Sequence, residues 1–245
     1  MQGFDSTTYG EAFADVYDDW YAEVTDVDAT VRRVVATAGD GARLLELGVG
    51  TGRLALPLAR AGLEVVGVDS SRAMLDRLAE RDPDRSVGIV HGDMVDDLPA
   101  GPFDACLVAY NTILNLLDPD EQRRCFREVA ARLVPSGRFV VEAVVPDERA
   151  PAGASVGVRS MTADRVVLSV SRHHPDERRS DGQFVELTES GGVRLRPWAI
   201  RWTTPGELDE MADDAGFDLD ERVADMAGAA YDDASDQHVS TYRLR

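Results

Sequence analysis

Hydrophobic residues recur along this chain at two kinds of spacing, and each spacing predicts a different element. Over residues 9–37, aromatic residues recur three and four positions apart, as at Tyr9, Phe13 and Tyr17, which predicts helices with one apolar face. From residue 43 to residue 145, short apolar runs alternate with helical segments. Strands that alternate with helices predict a parallel sheet covered by helices on both faces.

The limits of this alternating segment follow from the glycine, proline and polar residues between the apolar runs. Gly62 ends the first helix, and Pro146 ends the fifth strand. The predicted strands are residues 43–47, 64–68, 86–90, 103–109 and 138–145, and the predicted helices are residues 51–61, 71–79 and 119–133.

The pattern changes after Pro146. Polar and apolar residues alternate from about residue 155 to residue 202, with turn sequences at His174-Pro175-Asp176 and Gly191-Gly192. This alternation predicts an antiparallel meander instead of another strand–helix unit.

A helix and two strands are predicted to close the chain. Thr204 and Glu207 have the spacing of a capping box at the start of the helix, which ends near Gly216. Residues 217–223 and 239–244 are the predicted closing strands.

The most informative segment runs from Glu46 to Arg53. A buried strand ends in an acidic residue, and three glycines at alternate positions, Gly48, Gly50 and Gly52, lead into a helix. Glycines let a ligand lie directly against the backbone, because no Cβ intervenes. The spacing differs from the G-x-G-x-x-G of dinucleotide dehydrogenases, since Arg53 stands where the third glycine would be.

Acidic residues also end the next two predicted strands. Asp69 follows the second strand, where a carboxylate can accept hydrogen bonds from both hydroxyls of a ribose. Asp93 follows the third strand, where it can accept from the exocyclic amine of adenine while Met94 lies along the ring. Open α/β sheets bind ligands at the carboxyl ends of such strands, so an adenosine-type ligand is expected here.

Taken together, these segments resemble the class I methyltransferases that use S-adenosylmethionine (SAM). The resemblance covers roughly residues 9–145 and includes the glycine loop, Asp69, Asp93-Met94 and the strand over residues 103–109. It also includes the turn Leu133-Val134-Pro135-Ser136-Gly137, where the family pattern is Leu-x-Pro-Gly-Gly and Ser136 replaces one glycine.

The resemblance implies an α/β fold: a Rossmann-like, seven-stranded, mostly parallel sheet flanked by helices, with an N-terminal helical lid and a small antiparallel β insertion after strand 5. The whole chain is then one domain. Its expected parts are a lid (1–37), a cofactor-binding core (38–150), a β insertion (151–203) and a closing helix with two strands (204–245).

The family also implies the residues that hold SAM and later release S-adenosylhomocysteine (SAH). The glycine loop and Glu46 would hold the methionine part, Asp69 the ribose, and Asp93 with Met94 the adenine. The full set expected to bind the cofactor is Tyr17, Glu46, Gly48, Gly50, Gly52, Asp69, Ser70, Asp93, Met94 and Ala109.

The candidate catalytic residues are Tyr21, Tyr110, His173 and His174. Tyr21 belongs to an aromatic segment that either closes over substrate or packs as ordinary helix core. Tyr110 follows strand 4 and either lies near the methyl group or caps the strand. His173 and His174 have the near-neutral pKa that suits a general base, although a turn is also a common place for solvated histidine. Methylation at N, O or C stays open.

The net charge of the chain limits which binding partners are expected. The net charge is −19 and every basic residue is arginine, which reflects either a coding bias or a high-salt environment. Phosphate binding needs a basic face, so nucleic acid is not an expected partner. No metal motif occurs, and Cys106 and Cys125 are expected to be reduced core thiols.

The sequence therefore predicts methyl transfer from SAM to a small-molecule acceptor by a cytoplasmic, non-membrane protein that is a monomer or a homodimer. The alternative is a SAM-fold protein that does not methylate, either a cyclase-type enzyme or a non-catalytic partner subunit. The arginines of the β insertion either contact an acidic substrate group or form surface ion pairs. They are Arg159, Arg165, Arg172, Arg194, Arg196 and Arg201.

Overall fold

The computed structural model describes residues 1–22 and 24–245, and it contains two sheets. The helices are α1 (Thr8–Phe13), α2 (Tyr17–Trp20), α3 (Val27–Ala38), α4 (Ala55–Arg60), α5 (Arg72–Arg81), α6 (Pro119–Ala130) and α7 (Pro205–Asp214). The strands are β1 (Arg43–Leu47), β2 (Glu64–Asp69), β3 (Val87–His91), β4 (Phe103–Val108), β5 (Leu133–Val144), β6 (Gly153–Met161), β7 (Arg165–His174), β8 (Arg179–Thr188), β9 (Val193–Arg201), β10 (Phe217–Val223) and β11 (Gln237–Leu244).

The larger sheet has seven strands in the order β10-β11-β5-β4-β1-β2-β3. Strands β1 to β5 pair in parallel, and β11 pairs antiparallel with both β5 and β10. The predicted fold class is therefore confirmed. The strand order reverses between β1 and β4, which opens a crevice at their carboxyl ends where such sheets bind ligands.

Helices cover both faces of this sheet. Residues of α6 and α7 pack on one face around Phe126 and Phe139, whose ring centroids lie 5.1 Å apart. Residues of α3, α4 and α5 pack on the other face around Leu44 and Leu58, both fully buried. Cys106 and Cys125 are free thiols inside the core. The two apolar layers hold the strand ends rigidly at the crevice.

The two largest differences from the predicted element boundaries are at the starts of α4 and β5. Helix α4 begins at Ala55 instead of residue 51, because Gly48, Gly50 and Gly52 all have positive φ angles and the loop turns before the helix can start. Strand β5 begins at Leu133, five residues early, because the chain pairs with β4 on both sides of a turn at Ser136. The predicted capping box of Thr204 and Glu207 is present at α7.

The smaller sheet is the predicted β insertion, with strand order β6-β7-β8-β9 and antiparallel pairing throughout. One of its faces packs against the N-terminal helices, where the rings of Phe13 and Phe184 meet edge to face at 5.9 Å. The fully buried guanidinium of Arg196 joins the same helices to the sheet by bonding Asp15. The insertion therefore holds the N-terminal helices of the lid in place through these two contacts.

Candidate active site

A cavity lies at the carboxyl ends of β1, β2, β3 and β4, beneath the N-terminal helices. Its floor includes Gly48, Gly50 and Asp69, and its roof includes Tyr9 and Tyr17. An inner recess next to it shares Tyr17, Gly48 and Thr112 with the cavity and adds Glu46, Val49, Arg53, Leu54, Ala109 and Tyr110. Ser70, Asp93 and Met94 also line the main cavity. The structure thus brings together nine of the ten predicted cofactor residues.

Asp69 connects the glycine loop to the second strand. Its Oδ2 accepts a hydrogen bond from the N–H of Gly50 at 2.8 Å, and its Oδ1 accepts one from Ser71 at 2.8 Å. Burial raises the pKa of Asp69, although these two backbone N–H groups oppose the rise. Each carboxylate oxygen keeps a lone pair, so the group can still accept hydrogen bonds from a ligand.

Gly52 is the predicted cofactor residue that lies outside the cavity lining. A Cβ on Gly52 would come within 2.3 Å of Leu78 Cδ1 on α5, and its φ is +77°. By contrast, a Cβ on Gly50 would meet nothing closer than the Gly48 carbonyl oxygen at 4.0 Å. Gly52 therefore permits close packing of the loop on α5, while Gly50 leaves space for a ligand.

The inner recess holds a carboxyl group and a guanidinium group with buried hydrogen-bonding atoms that are unused. Burial raises the pKa of Glu46 to about 8, with nearby Arg53 opposing the rise. Glu46 Oε2 and the Nε and Nη1 atoms of Arg53 are buried and have no partner among the described residues. Buried polar atoms without a hydrogen-bond partner are costly, so the recess suits a ligand whose ammonium can pair with Glu46 and whose carboxylate can pair with Arg53. This fits the methionine end of SAM.

Arg53 was not among the residues predicted to bind cofactor. The sequence showed it only as the residue that breaks the dinucleotide spacing. Its position directly after the glycine loop was the available signal, because a side chain on the first turn beyond that loop can fold back into the recess.

Four tyrosines cluster beside the cavity and its recess: Tyr9, Tyr17 and Tyr110 line them, and Tyr21 is buried among these three rings without lining either space. The hydroxyl of Tyr9 donates to that of Tyr21 at 3.2 Å, and the Tyr21 ring lies 4.8 Å from Tyr17 and 5.7 Å from Tyr110. Burial raises the pKa of Tyr9 and Tyr110, and raises that of Tyr17 to about 12. These phenols therefore stay protonated near neutral pH and act as hydrogen-bond donors.

Tyr110 is held by an unusual backbone turn. Tyr110 and Asn111 both have left-handed φ angles, of 48° and 64°, which is rare for residues other than glycine. Glu142 Oε2 accepts a hydrogen bond from the Tyr110 N–H at 2.8 Å, and Asn111 Oδ1 accepts one from Val144 at 2.7 Å. The end of β5 thus fixes the turn that presents the Tyr110 ring. Sequence reasoning missed Glu142.

Acidic residues of the lid bond both sides of the cavity. Glu11 accepts hydrogen bonds from the Ser71 hydroxyl at 2.9 Å and from the Ala73 N–H at 3.0 Å. Asp18 accepts one from the Thr51 hydroxyl at 2.6 Å and also pairs with Arg81. These contacts join the N-terminal helices to residues on both sides of the crevice.

The histidines predicted as catalytic lie in the β insertion. His173 stacks on Trp202 with 6.2 Å between centroids, and its Nδ1 is 2.9 Å from the Ser180 hydroxyl. His174 Nε2 is 3.0 Å from Asp181. Neither histidine lines the cavity or its recess. Their catalytic role stays a prediction, and the geometry gives it no support.

Four of the six insertion arginines named above fall into two groups. Arg165, Arg194 and Arg196 pair with Glu186 or Asp15. Arg159 instead lies 4.8–5.3 Å from the ring centroids of Trp20, Tyr21 and Phe184, and has no carboxylate within 4 Å in the described part of the chain. Its guanidinium is held by cation–π contacts.

Two further findings concern residues 1–22 and 24–245. No group of His, Cys, Asp or Glu there is arranged to hold a metal ion. No helix there is both long and apolar enough to span a bilayer.

Comparison with known proteins agrees with this geometry. Residues 44–137 match the family model for a methyltransferase domain. The chain is 31% identical over 199 residues to the cypemycin N-terminal methyltransferase of Streptomyces sp, covering 78% of this chain and 79% of that protein. It is 29% identical to the dTDP-4-amino-2,3,4,6-tetradeoxy-D-glucose N,N-dimethyltransferase of Saccharopolyspora spinosa, covering 86% of this chain and 88% of that protein.

A solved structure matches almost the whole chain. The CcbJ methyltransferase from Streptomyces caelestis is 39% identical, with a TM-score of 0.90 and coverage of 98% of this chain and 99% of that one. The chain therefore belongs to the SAM-dependent methyltransferases, in their small-molecule branch. The predictions of SAM as cofactor and of methyl transfer to a small-molecule acceptor are confirmed, and the non-methylating alternative is not favoured.

Proposed function

We propose that this enzyme methylates an amine nitrogen of a natural-product intermediate. The observation that carries the proposal is the lining of the cavity and its inner recess, which, among the described residues, includes Tyr9, Tyr17 and Tyr110 but no histidine that could act as a general base. An amine attacks through its own lone pair once it is neutral, whereas a hydroxyl gains from a base that removes its proton. Two relatives with amine acceptors in their names, the cypemycin and dTDP-amino-sugar enzymes, support the same acceptor class.

The cavity residues have complementary roles toward SAM in this proposal. Glu46 takes the ammonium, and Arg53 with Tyr17 takes the carboxylate. Asp69 and the neighbouring Ser70 bind the ribose. Asp93 and Met94 hold the adenine, and Ala109 borders the methionine chain at the end of β4. When bound, SAM supplies a methyl group that its sulfonium already activates.

The chain's own contribution to the reaction is alignment and exclusion of water. Tyr110 donates a hydrogen bond to the acceptor, Glu142 fixes the turn that orients Tyr110, and Tyr21 supports the Tyr110 ring from the side away from the recess. The amine lone pair forms the new N–C bond while the S–C bond breaks, so the product leaves as an ammonium beside neutral SAH. The lid, bonded through Glu11 and Asp18, keeps water from the methyl group.

Further parts of the proposal concern the setting of the enzyme. The net charge of −19 supports a protein that does not bind nucleic acid. We also propose that the enzyme is cytoplasmic and is a monomer or a homodimer. Its chain would form one domain made of the lid, the core, the insertion and the closing segment.

Isothermal titration with SAM and SAH tests the cofactor site first. SAH release is then measured with pairs of acceptors that differ only in an amine or a hydroxyl at one carbon, starting with amino sugars and short peptides. We expect release only with the amine members. Release confined to the hydroxyl members would overturn N-methylation while leaving the cofactor site intact.

Variants then separate the phenols from the histidines. Tyr110→Phe removes one donor near the reacting atoms and should lower kcat by roughly 10-fold or more, with SAM affinity unchanged. His173→Gln and His174→Gln should keep most of kcat, because neither side chain lines the cavity. A tenfold loss in a histidine variant alone would move proton transfer to that histidine.

A further inference from the structure

One arginine of the β insertion, Arg159, lies at a β-bulge. Strands β6 and β7 pair Val158 with Leu168 and Ser160 with Val167, so Arg159 is an extra residue without a partner on β7. A bulge interrupts the ladder of hydrogen bonds and changes the direction of a side chain, and bulges are common beside active sites. The sheet therefore gives up regular pairing at Arg159 itself.

The guanidinium of Arg159 lies on the side of the sheet that contacts the lid, close to the active site. Its Cζ lies 4.8–5.3 Å from the ring centroids of Trp20, Tyr21 and Phe184. The Tyr21 ring lies in turn 5.7 Å from the ring of Tyr110. Burial raises the pKa of Tyr110, and the positive charge of Arg159 opposes this rise, as expected of two neighbouring side chains. Arg159 is thus one ring away from the tyrosine proposed to contact the acceptor.

Arg159 differs in its partners from other arginines on this side of the sheet. Arg194 and Arg196 both pair with Asp15. Within residues 1–22 and 24–245, by contrast, no carboxylate oxygen lies within 4 Å of Arg159, and its hydrogen bond runs from Nη2 to the carbonyl oxygen of Trp20 at 3.2 Å. A guanidinium carries five N–H donors in a planar fork that matches a carboxylate or a phosphate. The aromatic rings therefore hold a cation whose other donors can bind a ligand.

The sheet is open beside Arg159. Ser155 and Gly157 precede Arg159 at alternate positions of β6, so they share its face. Strand β7 places Ser171 opposite Ser155 and Ser169 opposite Gly157, and the hydroxyl oxygens of Ser155 and Ser171 are 2.8 Å apart. A Cβ on Gly157 would meet no atom within 4 Å. These small side chains leave room next to the guanidinium for the body of a polar molecule.

The charge of the protein makes this cation selective. The net charge is −19, so most of the surface repels anions. Two guanidinium groups act on Tyr110, those of Arg53 and Arg159. Arg53 lies in the inner recess and is proposed to bind the carboxylate of SAM, whereas Arg159 lies outside the recess. An anion that Arg159 attracts would therefore belong to the acceptor.

We propose that Arg159 is a specificity-determining residue that binds an anionic group of the acceptor, a carboxylate or a phosphate. The acceptor lies along the small side chains of β6 and β7, with its amine beside Tyr110 and its anionic group on the guanidinium. An anchor of this kind holds the amine in line with the methyl group. The inference rests on the proposed function for the position of the amine.

Isothermal titration of the SAH-bound enzyme with two pairs of probes tests the proposal. Alanyl-alanine and alanyl-alaninamide differ by a carboxylate, and glucosamine 1-phosphate and methyl glucosaminide differ by a phosphate. The wild type should bind the anionic member of one pair roughly tenfold or more tightly than its uncharged partner, and the pair that responds identifies the anionic group. The preference should weaken at high salt, because Arg159 is exposed.

Variants separate the charge of Arg159 from its contact with the lid. Arg159→Gln keeps a donor for the Trp20 carbonyl but removes the charge, so affinity for the anionic member should fall roughly 10- to 100-fold and the preference should vanish. Arg159→Lys keeps the charge and should retain a preference. The matched control is Arg172→Gln, because Arg172 is an exposed arginine next to Ser171 on β7 and therefore lies on the opposite face. This control should keep the wild-type preference.

Circular dichroism and SAH titration check that each variant is folded. Equal affinities for the two members of both pairs in the wild type, or a preference that Arg159→Gln keeps, would overturn the proposal. An equal loss for charged and uncharged members in Arg159→Gln would also overturn it, because Arg159 would then only support the lid. SAH release confined to hydroxyl acceptors overturns N-methylation instead, and the binding preference is measured separately from that result.

Discussion

Asp69 accepts a hydrogen bond from the backbone of Gly50, with 2.8 Å between Oδ2 and N. The carboxylate at the end of β2 thereby fixes the glycine loop at the end of β1. One side chain both shapes the loop and lines the cavity. Its loss should therefore weaken the cofactor site in two ways.

Asp69→Ala should reduce the affinity for SAM and SAH by roughly 10- to 100-fold, because it removes hydrogen bonds to the ribose that together contribute about 1–3 kcal/mol. Isothermal titration measures the change. The control is Asp76→Ala, which removes an exposed carboxylate on α5 that pairs only with Arg72. Unchanged affinity in Asp69→Ala would remove Asp69 from the cofactor site.

Arg53 should act on one end of the cofactor only. Arg53→Met removes the cation proposed to bind the carboxylate, so SAM and SAH affinity should fall by roughly 10- to 100-fold, in line with a charged hydrogen bond of about 1.5–3 kcal/mol. Binding of 5′-methylthioadenosine, which lacks the amino acid end, should not change.

The comparison of the two ligands guards against a general effect on folding. Arg60→Gln, at the exposed end of α4, serves as the surface control. If Arg53→Met weakened both ligands equally, the loss would come from the shape of the recess, and the carboxylate assignment would fail.

Gly50 and Gly52 should respond differently to the same substitution. Alanine at either position incurs about 1–2 kcal/mol for a positive φ angle. In Gly52→Ala the new methyl group also meets Leu78, so this variant should lose more stability in urea unfolding. In Gly50→Ala the methyl group enters the cavity, so SAM affinity should fall more than stability. Equal stability losses with equal affinity losses would contradict the separate roles.

The sequence predicted those features that depend on neighbours along the chain. The glycine spacing, Asp69 at a strand end and the capping box of α7 are local, and the structure has each of them in place. Contacts between distant residues gave no such pattern. Arg196 and Asp15, which join the insertion to the lid, are 181 positions apart, and Glu142 acts on a backbone N–H 32 positions away.

The two histidines predicted as catalytic show the same limit of prediction from sequence. His173 and His174 were singled out because their turn lies in the insertion, and the sequence could not say which surface that turn adjoins. In the fold, cross-strand neighbours bond both rings: Ser180 contacts His173, and Asp181 contacts His174. A residue type suited to catalysis does not by itself place the side chain at the cavity.

Another histidine, His238, should make the stability of the fold depend on pH. His238 is fully buried, its Nδ1 lies 2.9 Å from the Ser240 hydroxyl, and burial next to Arg222 lowers its pKa to about 4. The folded chain keeps this ring neutral, while the unfolded chain takes up a proton below the ordinary pKa of 6.5. The neutral ring therefore contributes fully above pH 6.5, and the contribution is lost as the pH falls from 6.5 to 4.

The size of this effect is about 3 kcal/mol over the whole interval, from a pKa difference of roughly 2.5 units. Urea unfolding of wild type and His238→Gln at several pH values measures it. The two free energies of unfolding should converge as the pH drops from 6.5 to 4, because glutamine does not titrate while the other ionisable groups are common to both proteins. Parallel pH profiles for the two proteins would show that His238 is protonated in the folded chain as readily as in the unfolded one.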